Sequence, residues 1–173
     1  MKKIITIIIS ALFFSNIALA KITMKYSGSL PVGHHLTGAQ KLFAEKVAEK
    51  TNGEIEIKVF PAKQLYSTKA VPAAVVTGAL EIGYNLFGVW TKDTISEIND
   101  VPFLIQNVEQ AGKAWDNNER LFKYYTKVMK DRKLKPLGVI FYGSLFDLTS
   151  PSQIVNPTDF KGKKIRTYSA LAS

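Results

Sequence analysis

The chain has 173 residues, 46% hydrophobic and 21% charged, the make-up of a folded chain of about one domain and not of a disordered segment. It contains no cysteine, which excludes a disulfide framework, a thiol nucleophile, a thiolate metal site and a lipid-anchored cysteine. The net charge is +9, but the cations are dispersed. Their densest run, Lys127 to Lys135, closes a helical stretch where the dipole favours cations, so it reads as a solvated helix end and not as a nucleic-acid surface.

Lys2-Lys3, the apolar run Ile4 to Phe14 and Ala18-Leu19-Ala20 have the order of a secretory signal, and the apolar run is too short to span a bilayer. Residues 1–20 are therefore expected to be removed, leaving a chain that begins at Lys21 in the periplasm.

Ile22 to Ser27 alternates and is rich in β-formers, predicting a first strand. After the loop Gly28 to His35, Thr37 and Gln40 have capping-box spacing. Ala39, Leu42, Phe43 and Val47 recur at helical intervals, predicting a helix over 37–51 with a left-handed stop at Asn52-Gly53. Glu54 to Phe60 alternates and predicts a second strand, ended by Pro61. Thr68 to Thr77 predicts a helix with Pro72 in its first turn, and Leu80 to Asn85 a third strand. Strand, helix, strand, helix, strand with short connections is the signature of a mostly parallel α/β sheet. Ligands in such sheets bind beyond the carboxyl ends of the strands. Those ends carry Ser29, His34, His35, Gln64, Tyr84 and Asn85, the expected ligand contacts.

Val101 to Ile105 is apolar and expected to be buried against the sheet. Val108 to Asp131 predicts a helix or a pair broken at Asn117-Asn118. Leu137 to Thr149 predicts a long strand bent at Gly143, and Ile165 to Tyr168 a short one that would hold Arg166. By itself Arg166 reads either as a surface strand residue paired with an acid or as a guanidinium placed to clamp a carboxylate.

Four segments then resemble one family. Phe60-Pro61-Ala62-Lys63-Gln64-Leu65, Val75 to Ile82, Asp100-Val101-Pro102-Phe103-Leu104 and Asp159-Phe160-Lys161-Gly162-Lys163-Lys164-Ile165-Arg166 are similar, in order, to elements of the DctP-type periplasmic solute-binding proteins of TRAP (tripartite ATP-independent periplasmic) transporters. The resemblance implies an α/β, periplasmic-binding-protein-like, two-lobed fold with the ligand in the cleft. It places the family's carboxylate-binding arginine on Arg166. It implies a small organic acid as ligand and the TRAP membrane permease subunits as partners, with no cofactor, metal or nucleic acid. The family continues well past the last motif, so the chain is expected to hold a first lobe over 21–143 and, over 144–173, a crossing strand and the start of a second lobe largely missing from it. Some members carry a second basic residue on the crossing strand; Leu145-Phe146-Asp147 has none, which argues against ligands needing two cationic contacts.

The histidines number two, His34 and His35, and no third residue is spaced with them for zinc. As neighbours in a loop, they are expected to point apart. A Ser29–histidine pair supports the alternative of an α/β hydrolase, and a non-functional fragment is the third reading; no H-E-x-x-H, G-x-S-x-G or phosphate-binding loop accompanies them.

Overall fold

The computed structural model describes residues 21–90, 94–101, 103–143 and 151–165. The expected signal segment, Pro102, the Ser144–Thr149 part of the long strand, and Arg166 with the rest of its strand lie outside these. Ile165 itself has no regular secondary structure.

Strand β1 (Ile22–Ser27) pairs in parallel with β2 (Ile55–Phe60), from Ile22 opposite Ile55 to Ser27 opposite Phe60. Strand β3 is shorter than predicted, Ile82–Gly83, and pairs in parallel with the other side of β1 at Tyr26 and Ser27. Leu80 is instead a fully buried side chain just before it. The strand order is β2-β1-β3, so β1 is central. The chain leaves β1 first toward one side and then returns to the other. With right-handed crossovers, that reversal puts the connecting helices on opposite faces, the arrangement in which α/β sheets take ligands beyond the carboxyl ends of their strands.

Helix α1 (His35–Lys50) covers one face, with Tyr26 of β1 meeting Phe43 edge to face at 6.2 Å. It begins two residues earlier than predicted, because its cap is not Thr37. His34 is the N-cap and its side chain accepts the Leu36 N–H. Thr37 donates to the Pro31 carbonyl at 2.8 Å, and Gln40 is fully buried, so the expected capping box does not form. The buried stripe runs through Leu36, Thr37 and Gln40, which leaves Leu42 55% exposed where core packing was expected. The end is as read: Asn52 and Gly53 both take positive φ, and the Gly53 N–H returns to the Ala48 carbonyl.

Helix α2 (Val71–Val76) is shorter than the predicted 68–77 but carries Pro72 in its first turn. It packs on the other face against β3, where Gly83 is required. A Cβ there would stand 2.5 Å from a Val71 methyl and 2.9 Å from the Trp90 ring. Helix α3 (Phe87–Trp90) and a 3₁₀ turn, Thr94–Asp100, follow.

The predicted helical stretch is the broken pair α4 (Val108–Ala114) and α5 (Arg120–Lys130), interrupted around Asn117-Asn118. Phe122, Tyr125 and Met129 form the buried stripe of α5 and pack with Trp115 and Leu134. Phe87, Trp90, Ile95 and Ile98 close over this cluster. Val101, Phe103 and Leu104, expected to be buried against the sheet, are exposed, and Ile105 packs on this cluster.

Over 137–143 the chain alternates as a strand does, with Val139 and Phe141 turned onto the core and Ile140 and Tyr142 outward. It is nevertheless no strand there, because no described segment pairs with it. Near the end of the described residues, Pro157–Phe160 makes a 3₁₀ turn. The Asp159 carboxylate accepts the N–H groups of Asn156 and Val155, which hold its pKa below the usual carboxylate value.

Candidate functional site

Three backbone segments meet at the carboxyl ends of the strands. Gly28 N–H donates to the Phe60 carbonyl at 2.9 Å, Lys63 N–H to the Gly28 carbonyl at 3.0 Å and Ala62 N–H to the Leu30 carbonyl at 2.7 Å. Tyr84 N–H donates to the Ser27 carbonyl at 2.9 Å. The loops after β1, β2 and β3 are thereby tied across the top of the sheet. Ala62 and Lys63 take left-handed backbone to make the turn. Gly28 fits because its Cβ position would fall 2.7 Å from the Gln40 amide oxygen.

The two histidines do not point apart. Their rings stack at 4.4 Å and 26°. The reason is the backbone change between them: His34 is extended (φ −72, ψ 139) and His35 is the first helical residue, which brings the two side chains to one side. Tyr142 lies against the His34 ring at 5.2 Å and 52°. The Tyr84 phenol is pushed up to about 12 by burial and, second, by Tyr142. Tyr26 is raised by burial and, second, by Tyr84. Burial thus keeps the Tyr26 and Tyr84 phenols protonated beyond the usual range, and the His34, His35 and Tyr142 rings are in contact.

The other expected contacts are placed differently. Asn85 spends its amide within the fold, its Nδ2 donating to the Thr68 carbonyl at 2.6 Å and its Oδ1 accepting the Leu86 N–H at 3.0 Å. Gln64 is exposed on the β2 loop, and Ser29 is half-buried in the β1 loop. Arg166 lies outside the described residues. The Leu36 N–H occupies His34 Nδ1, so that nitrogen has no lone pair free for activating Ser29. Sequence reasoning missed Tyr142 and Tyr26. The alternation of Val139 to Tyr142 was the signal for the first, since it turns Tyr142 away from the core that takes Phe141.

A parallel sheet with a strand-order reversal and helices on both faces is an α/β architecture whose strand ends are where such sheets commonly bind ligands. The family model of the DctP bacterial extracellular solute-binding proteins, family 7, matches residues 26–173, and the chain belongs to that family. Its members are solute-binding proteins and not catalysts. The chain is 30% identical over 169 residues to the 2,3-diketo-L-gulonate-binding periplasmic protein YiaO of Escherichia coli, covering 92% of this chain and 48% of that protein. It is 27% identical to the sialic acid-binding periplasmic protein SiaP of Vibrio cholerae, covering 96% of this chain and 51% of that protein. A TRAP periplasmic solute-binding protein from Ochrobactrum anthropi superposes with a TM-score of 0.63 at 26% identity, over 69% of this chain and 37% of that one. The chain thus spans about half the length of these curated relatives. Among the described residues, no helix is long and apolar enough to cross a membrane.

Proposed function

We propose that this chain is part of a periplasmic receptor that captures a small organic acid and delivers it to the membrane permease subunits of a TRAP transporter. The observation that carries the reading is the position of the His34, Tyr142 and Tyr84 cluster, at the switch point of a lobe belonging to a solute-binding family. The names of its relatives, which bind sugar-derived acids, support an acid as ligand.

In this reading residues 1–20 direct export and 21–143 form the first lobe, with 144–173 crossing toward a second. Arg166 supplies the charge-assisted, two-pronged bond to the ligand carboxylate. His34, His35, Ser29, Gln64 and Tyr84 line the first-lobe wall, and Asn85 braces the β3 loop against Thr68. Closure of two lobes around the acid would exclude water and strengthen these bonds. No bond of the ligand is made or broken.

Native mass spectrometry of the protein exported by its own cells, followed by calorimetry with a panel of carboxylates, tests the proposal. A co-purifying or titrating organic acid is the expected result. Turnover of an ester or amide panel without carboxylate binding would overturn it.

A further inference from the structure

Helix α5 buries Phe122, Tyr125 and Met129. Arg120, Lys123, Lys127 and Lys130 fall on its opposite side, within about 80° of one another around the helix axis. All four are exposed, and they form a straight row about 15 Å long. Lys133 and Lys135, also exposed, follow in the next turn. That turn is fixed: Leu134 is buried in the core and its N–H donates to the Met129 carbonyl at 3.0 Å.

The helix dipole accounts for Lys127 and Lys130, which lie in the last turn. It works against Arg120 and Lys123, at the start of the helix. Glu119 and Asp131, the two caps, stand four residues from Lys123 and Lys127. Yet among the described residues none of the four cations forms an ion pair. Elsewhere Lys46 and Lys113 each pair with a glutamate one turn away, at 2.7 and 2.8 Å. Each cation of the α5 row instead has another cation three or four residues along, an arrangement that repels. An anionic surface laid along the ridge removes that repulsion.

The ridge is convex. The groove lined by Glu109, Gln110, Lys113, Asp116 and Glu119 contains none of the four cations. A convex row of flexible point charges suits a surface of spread negative charge more than one shaped anionic group. Tyr124, 57% exposed beside the row, adds a ring with an apolar body and a polar tip, the kind favoured at a membrane–water interface. We infer that the Arg120, Lys123, Lys127 and Lys130 ridge of α5 docks on anionic phospholipid headgroups and holds the protein along a membrane surface. The inference does not depend on which acid the protein binds.

The test is co-sedimentation of the exported protein with vesicles of phosphatidylethanolamine and phosphatidylglycerol, against vesicles of phosphatidylcholine, at low and physiological salt. The protein sediments with the anionic vesicles alone, and added salt weakens the binding. Arg120→Gln, Lys123→Gln, Lys127→Gln and Lys130→Gln combined lower the affinity at least a hundredfold, at roughly fivefold per charge. The melting temperature of this variant stays at or above that of the wild type, because the repulsion is gone. Lys41→Gln, Lys50→Gln, Lys58→Gln and Lys69→Gln combined remove the same charge from exposed positions elsewhere and keep most of the binding. Equal loss in the two variants, equal binding to phosphatidylcholine, or no binding to the anionic vesicles would overturn the inference. So would a ridge that binds an acidic protein but no lipid. Each of these leaves the receptor reading standing.

Discussion

Replacing Gly83 by alanine adds one methyl group at the tightest point of the fold. The new Cβ would stand 2.5 Å from Val71 Cγ1, 2.9 Å from the Trp90 ring and 3.2 Å from Val75 Cγ2. Two of these neighbours are β-branched residues on α2, and Val71 is only 1% exposed, so neither can swing aside. The helix must move off the sheet or β3 must leave β1. Overpacking of this kind costs about 1–3 kcal/mol. Gly38 is the control: it lies within α1, a Cβ there meets nothing within 4 Å, and alanine should stabilise by about 0.5–1 kcal/mol. Equilibrium urea denaturation, followed by far-ultraviolet circular dichroism, should show the two substitutions moving the midpoint in opposite directions. Adding Val71→Ala to Gly83→Ala should recover about 1 kcal/mol relative to the sum of the single changes, because the two side chains compete for one space. A Gly83→Ala protein as stable as the wild type, or strict additivity in the double variant, would refute the packing argument.

Asn99→Ala leaves the buried Trp115 indole N–H without its 2.7 Å acceptor and should destabilise by about 1–3 kcal/mol, read by thermal melting monitored through tryptophan fluorescence. The Tyr84 phenol is raised to about 12 from 10.0, so the unfolded chain loses that proton first and stability falls as pH rises between those values. Ultraviolet titration should find a late phenolate step that Tyr142→Phe moves earlier, burial still accounting for most of the shift. Asp159 is depressed below its usual 3.8, so the contribution of its cap is present above that pH and is lost as pH falls through the lower folded value. The amide shifts of Val155 and Asn156 should titrate together below 3.8, and Asp159→Asn should abolish that transition.

The strands and their order of appearance were legible because β1 and β2 alternate in sequence and pair over six residues each. The Asn52-Gly53 stop was legible because a left-handed backbone narrows the choice of residue. What was not legible depended on distant partners. The α1 cap went to His34 because the loop residue Pro31 claims the Thr37 hydroxyl. Val101, Phe103 and Leu104 are exposed while Ile95 and Ile98 pack on the core, a choice that local hydrophobicity does not rank. Val139 to Tyr142 has a strand's alternation without a strand's partner among the described residues. Of the candidate site, the sequence reading pointed to the loops beyond the carboxyl ends of the strands, and the strand order β2-β1-β3 could not be read from it because pairing depends on distant partners. The histidine stack was not located, because it depends on one residue being extended and the next helical.

The central claim is that this lobe belongs to a carboxylate receptor in which Arg166 binds the acid. Calorimetry of the exported protein and its Arg166→Ala and Arg166→Lys variants, titrated with the acid that co-purifies or binds best, tests it most directly. Removing one partner of a buried charged pair costs about 2–5 kcal/mol, or roughly 30- to several-thousand-fold in affinity. The account predicts a loss in that range for Arg166→Ala and partial recovery for Arg166→Lys, which keeps the charge but not the two-pronged geometry. Unchanged affinity in Arg166→Ala would contradict it.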